Sequence, residues 1–269
     1  MTYPIYFPEG FDLQQATICG QLVVTAYDMY TQWKEEQDKP KPRDFHWEPR
    51  GLAVHYGEPI WGEDDFFFFF KAVEPFAFVA QDDKGTTYLV FRGTSSTDDF
   101  VKDAQARQKE YDLVPNYGLT HAGFVTLYKS MADYVAEALT RVERPITSIY
   151  VTGHSLGCGL STCAVPHLIH LPFIQELGVP VFHYNLASPR VGDRAFAQAY
   201  NGNGVPTYRV VNTCDLVPEV PSAIFGRELY EHVGIPVNFT AQYGSLVGNH
   251  SAHDSYLYAL QHANAPFKG

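Results

Sequence analysis

No apolar run in this chain approaches the roughly 20 residues that a helix needs to cross a bilayer, so no transmembrane segment is expected. Positive charge is scarce as well: 19 Lys and Arg stand against 30 Asp and Glu, a formal net charge of −11. Nucleic-acid binding rests on cations that neutralise phosphates, and docking on anionic membranes needs them too. Neither partner is therefore expected. Cysteine is sparse, and Cys19, Cys158, Cys163 and Cys214 form no Cys-x-x-Cys pair. Lying among apolar or small residues, they read as buried free thiols, not as a disulfide framework or a metal site. The N-terminus lacks a basic stretch followed by an apolar one, so no signal peptide is expected in this sequence. That leaves the cytoplasm, or export with a leader removed. No internal repeat, low-complexity linker or charge run divides the chain, and residues 1–269 are expected to form one domain.

What the chain does contain is core material. Hydrophobic residues make up 45% of it, and 19 Phe and 18 Tyr supply large side chains for a core and for pockets that take apolar ligands. Apolar positions at Ala16, Cys19, Val23, Ala26, Tyr27 and Tyr30 recur every three or four residues and predict a helix over 11–39, ended by Pro40 and Pro42. Asp82-Asp83-Lys84-Gly85 separates two apolar arms and predicts a hairpin. A helix is expected over 121–141, strands over 180–186, 205–211 and 232–239, a helix over 193–200, and a last helix from Ser251. Phe66-Phe67-Phe68-Phe69-Phe70 reads as a strand buried on both faces, the alternative being an aromatic patch that meets lipid or an acyl chain. Strand and helix alternate along the chain. That pattern predicts an α/β fold with a mostly parallel central sheet flanked by helices.

The chemistry centres on Ile149-Tyr150-Val151-Thr152-Gly153-His154-Ser155-Leu156-Gly157-Cys158. A β-branched and aromatic run leads into Gly-x-Ser-x-Gly, and a small-residue segment follows. This is a strand, a sharp turn with serine at its tip, and a helix: the nucleophile elbow of the α/β-hydrolase fold. Serine needs a histidine to take its proton and a carboxylate to hold that histidine. In this fold the carboxylate and the histidine follow the serine in that order. Asp215 follows an expected strand and suits the carboxylate position better than Asp193, which begins a helix and has a structural reason to be there. His232, His250 and His253 lie downstream. Ser251 and Asp254 are spaced as a capping box, which places His253 in the first turn of the last helix, held by Tyr256, Leu257 and Leu260. His232 reads as a strand-start histidine and His250 as a loop histidine; spacing alone leaves the base open.

Four landmarks in order, Phe91-Arg92-Gly93-Thr94, His121-Ala122-Gly123-Phe124, Gly153-His154-Ser155-Leu156-Gly157 and Asp215-Leu216-Val217-Pro218, resemble the class 3, fungal-type lipase family. Ala252-His253-Asp254-Ser255-Tyr256 resembles the closing catalytic-histidine segment of that family. The resemblance implies Ser155 as nucleophile, Asp215 as orienter and His253 as base. It also implies an oxyanion hole from the N–H groups of Thr94 and Leu156, a short lid after the oxyanion strand, and no metal or organic cofactor. The implied partner is a lipid or small-molecule ester, with transient contact at a lipid–water interface.

Three departures qualify it. Cys158 stands where the family has a second glycine, no convincing disulfide set is present, and the lid at 96–104 is acidic with only Phe100 and Val101 to enter lipid. Weak interfacial activation and a preference for soluble, short-to-medium acyl esters are the expectation. An esterase acting on soluble or feruloyl-type esters, an acyltransferase and a non-catalytic scaffold are the competing readings.

Overall fold

The computed structural model describes residues 5–36, 39–64, 72–94 and 107–263. The phenylalanine run at 66–70 and the expected lid at 96–104, with Phe100 and Val101, lie outside the described residues. The main sheet consists of β1 (His55–Tyr56), β2 (Ile60–Asp64), β3 (Ala72–Gln81), β4 (Thr86–Phe91), β5 (Ser148–His154), β6 (Val181–Leu186), β7 (Thr207–Asn212) and β8 (Ile235–Phe239). Its order is β1-β3-β4-β5-β6-β7-β8, with β2 also paired to β3. The five strands β4 to β8 run parallel, whereas β3 is antiparallel to β1, β2 and β4. The β3–β4 hairpin turns where expected, because Asp82 Oδ1 accepts the N–H groups of Lys84 and Thr86, each at 2.8 Å.

Both faces of the sheet are covered, as a parallel sheet requires. Leu89, Phe91, Ile149 and Val151 point to one face, where they join α2 (Ala122–Thr140), α3 (Leu156–Ile169) and α4 (Arg194–Asn201) through Phe124, Leu127, Leu160 and Phe196. Val90, Tyr184, Leu186 and Val210 point the other way, onto α1 (Leu13–Glu35) and the C-terminal Tyr256 and Leu260. The fold is the expected α/β-hydrolase fold. Helix α1 starts at Leu13 because the Asp12 carboxylate accepts the Gln15 N–H, and it ends where Glu36 turns to extended backbone. The late strand is shorter than expected and begins after Gly234, at φ 69°. Cys19, Cys158 and Cys163 are buried free thiols, and Cys214 is half-buried. No helix among the described residues is long and apolar enough to cross a membrane.

A polar knot joins α3 to β6 inside this core. Ser161 donates its hydroxyl to Asn185 Oδ1 at 2.7 Å, so it accepts from His183 Nε2 at 2.9 Å. His183 Nδ1 then accepts from the Tyr200 hydroxyl at 2.6 Å. Burial lowers the His183 pKa from 6.5 to about 3, and burial helped by Arg209 and Arg190 does the same to His232. The unfolded chain therefore binds protons that the folded chain refuses. The stability contribution is complete above pH 6.5 and is lost as pH falls toward 3, by about 2 kcal/mol per histidine between pH 8 and pH 5. Urea midpoints are expected to drop over that interval, and to drop less in His183→Gln. An unchanged wild-type midpoint would contradict this.

Candidate active site

Strand β5 ends at His154 and α3 begins at Leu156, so Ser155 alone makes the turn. Its φ of 57° and ψ of −125° lie in a region that costs a side-chain-bearing residue about 1–3 kcal/mol. The tightness comes from the two flanking glycines. A Cβ on Gly153 would strike the Gly157 carbonyl, and one on Gly157 would strike the carbonyls of Phe91 and Arg92 at the end of β4. As the first residue of α3, Leu156 has an N–H with no acceptor inside the helix. Cys158 fits beneath the turn, its thiol donating to the carbonyls of Gly153 (3.1 Å) and Leu186 (3.0 Å). Burial raises that thiol's pKa well above the usual value, so it packs as an inert group.

Upstream, Arg92 anchors the exit of β4. Its buried guanidinium donates to Glu74 Oε2 (2.6 Å), the Pro75 carbonyl (2.7 Å) and the Gly93 carbonyl (2.8 Å). It also lies over the rings of Tyr30 and Phe76, at 3.8 and 4.2 Å. These contacts fix the backbone that leads into half-buried Thr94, the last described residue before the expected lid.

Downstream, β7 ends at Asn212, and the chain turns so that the Asp215 N–H donates to the Asn212 carbonyl at 2.9 Å. Asp215 Oδ1 accepts the Val217 N–H (3.0 Å), while Oδ2 accepts from His250 Nδ1 and from the Tyr256 hydroxyl, both at 2.7 Å. The carboxylate and imidazole are 0% and 4% exposed. Because an ionised carboxylate only accepts, Nδ1 carries the proton and Nε2 presents a lone pair. That Nε2 is buried and has no hydrogen-bond partner among the described residues. Asp193, the competing carboxylate, caps α4 by accepting the Phe196 N–H at 2.7 Å.

The base expected at His253 needs correction. His253 is 70% exposed and bonds its neighbour Asp254 (2.7 Å) instead of Asp215. The expected cap is present, since Ser251 Oγ accepts the Asp254 N–H at 3.0 Å. However, the turn that follows, Ala252–Leu257, is a widened π turn, with the Tyr256 N–H reaching back to the Ser251 carbonyl at 3.1 Å. Such a turn holds one more residue than an α turn. His253 and Tyr256, which would share a face of an α-helix, separate: Tyr256 turns inward and His253 outward. His250, read as a loop histidine, ends the short helix α5 (Leu246–His250).

Sequence reasoning also passed over the groups that hold this segment. Asn212 Nδ2 donates to the carbonyls of Ala241 (2.8 Å) and Asn249 (3.0 Å), and Asn249 Nδ2 donates to the Cys214 carbonyl (2.9 Å). His154 meets the His250 carbonyl at 2.8 Å. The one available signal was position, since Asn212 closes the strand before Asp215 and Asn249 precedes His250.

The family profile described as Lipase (class 3) matches residues 88–225, just over half of the 269-residue chain. The chain belongs to the class 3 lipase family. The matched stretch holds Thr94, Ser155 and Asp215 and stops short of both His250 and His253. A Rhizomucor miehei lipase is 35% identical over 150 residues, 54% of this chain and 40% of that one. The secreted mono- and diacylglycerol lipase 1 of Fusarium solani is 31% identical over 159 residues, 58% and 45% of the two chains. Phospholipase A1-II 3 of Oryza sativa subsp. japonica is 32% identical over 171 residues, 52% and 41%. The chain thus spans less than half the length of these curated relatives. Among solved structures, the lipase of Rhizopus microsporus var. chinensis superposes with a TM-score of 0.62 at 23% identity, over 88% of this chain and 78% of that one. The native Rhizomucor miehei lipase–propeptide complex gives 0.63 at 22%, over 94% and 80%. At these identities the likeness is one of fold.

The geometry separates the two histidines of this class 3 lipase family member. His250→Ala is expected to lower kcat/KM for p-nitrophenyl butyrate by about a thousandfold or more, while His253→Ala stays close to wild type. The reverse pattern would contradict the placement.

Proposed function

We propose that this protein hydrolyses carboxylic esters of the acylglycerol type through an acyl-serine intermediate. The observation that carries the reading is the buried Asp215–His250 pair, whose Nε2 has no partner among the described residues, in the same fold as a strained Ser155. His250 Nε2 takes the proton of Ser155 as Oγ attacks the ester carbonyl. Asp215 holds the resulting imidazolium, and Tyr256 and Val217 hold Asp215. The negative oxygen of the tetrahedral intermediate is received by the N–H groups of Leu156 and Thr94, each such donor supplying about 3 kcal/mol. His250 returns the proton to the departing alcohol, and water repeats the sequence on the acyl-serine.

A lipid ester is supported by the relatives, which carry the names lipase, mono- and diacylglycerol lipase, and phospholipase. Transient contact with a lipid–water interface is supported by exposed apolar residues beside the site in the chain. Leu216 follows Asp215, Val247 lies in α5 with His250, and Ile224 and Leu229 face each other across a small hairpin. The esterase reading is favoured by one observation, the thin acidic stretch at 96–104 with Phe100 and Val101. It supports a preference for acyl chains of short to medium length. A non-catalytic scaffold has no need of the Asp215–His250 pair.

Hydrolysis of p-nitrophenyl esters of increasing chain length tests this. Turnover by wild type, highest on short or medium chains and abolished in Ser155→Ala, is the expected result. No turnover by wild type would favour the scaffold, and an active Ser155→Ala would remove Ser155 from the mechanism.

A further inference from the structure

His154 lies between the candidate nucleophile and the candidate base, yet the reaction above gives it no role. Its ring is buried, and its centroid lies 4.5 Å from that of His250 at a tilt of 38°. Nε2 of His154 meets the backbone carbonyl of His250 at 2.8 Å. A carbonyl oxygen can only accept, so this nitrogen carries the proton. Nδ1 must then be an acceptor, and its partner at 2.8 Å is the hydroxyl of Tyr27, on α1 and 127 residues away in sequence. Burial, reinforced by the neighbouring His250 ring, keeps the His154 pKa well below the usual histidine value, so the ring is neutral and its tautomer is set by these two contacts. The Tyr27 hydroxyl also packs onto Gly93, where any Cβ would collide with it, with the His154 carbonyl and with Ser155 Cβ. One hydroxyl from α1 therefore reaches the point where the oxyanion strand, the elbow and the segment bearing the base come together.

We infer that Tyr27 and His154 are positioning residues: Tyr27 holds His154 in the tautomer that donates to the His250 carbonyl, and that bond sets where the His250 imidazole stands. The inference rests on the reading of Ser155 and His250 as nucleophile and base. Without the Tyr27 donor, His154 can move its proton to Nδ1 and turn a lone pair toward the His250 carbonyl. Attraction then becomes repulsion, and the base is displaced with no change at any group that touches substrate. Displacements of about an ångström at a reacting group cost up to about a hundredfold in rate.

Tyr27→Phe, His154→Leu and His154→Gln test it, each compared with wild type and Ser155→Ala for kcat and KM on p-nitrophenyl butyrate. The low-field proton resonance of the His250–Asp215 bond is followed alongside, and thermal unfolding confirms that each variant is folded. Tyr27→Phe and His154→Leu are expected to lower kcat by about tenfold to a hundredfold, with KM little changed and the low-field resonance broadened or lost. His154→Gln, whose side-chain amide can donate to the same carbonyl, is expected to recover most of kcat and keep the resonance. Folded Tyr27→Phe and His154→Gln with wild-type and depressed kcat, respectively, would overturn the inference, as would wild-type kcat in all three. If His154→Leu fails to fold, the other two variants decide. An active Ser155→Ala would instead overturn the reading beneath it, whereas a silent Ser155→Ala beside a fully active Tyr27→Phe would remove only the relay.

Discussion

Strand β5 and helix α3 can meet at a single residue only because nothing projects from Gly153 and Gly157, and the rest of the site is built around that junction. The close approach of α3 to the end of β4 leaves Ser155 at φ 57°. It also brings the first N–H of α3 beside the backbone that continues from Phe91 through Gly93 to Thr94. A local backbone strain of about 1–3 kcal/mol is held by the packing of a whole helix on both sheet partners of β5. Arg92 reinforces the junction from the other side, since its ion pair with Glu74 and its bonds to the Pro75 and Gly93 carbonyls are all buried. Removing one member of such a pair strands a charge in the core.

The second half of the site arrives by a different kind of interaction. The strands deliver Asp215, but the histidine comes from a short helix and a π turn near the C-terminus, which carry little regular structure of their own. Polar side chains do the holding there. Asn212 ties the ends of β7 and β8 to the Asn249 backbone, Asn249 returns a bond to Cys214, and Tyr256 spans from the Asn212 N–H to Asp215. The cost of leaving any of these buried groups unpaired gives the segment one favoured seat. His250 is thereby fixed without resting on a long element.

How much of this could be read in the sequence follows from how local each feature is. Ser155 was legible because its signal is contiguous: a β-rich run, two glycines at fixed offsets and a helix. The place of Asp215 after a strand was legible, as was that of Asp193 at a helix start, where it serves as the cap. His250 was not legible. Spacing left three histidines open and the family resemblance pointed to His253, whereas the π turn over Ala252–Leu257 leaves that residue facing outward. The capping box at Ser251 and Asp254 is real, but it was followed by the wrong period. Tyr27 and His154 were invisible for another reason, since their pairing spans 127 residues and exists only once α1 lies on the sheet.

The central claim is that Ser155 and His250 act on the same ester, with Leu156 and Thr94 receiving its oxygen. A crystal structure of the protein after reaction with a p-nitrophenyl alkylphosphonate tests it most directly, because the tetrahedral phosphorus stands in for the intermediate. The expected result is phosphorus bonded to Ser155 Oγ, one phosphonyl oxygen accepting from the N–H groups of Leu156 and Thr94, and His250 Nε2 within hydrogen-bond reach of the adduct. An adduct on another residue, or one contacted by His253 while His250 stands apart, would contradict it.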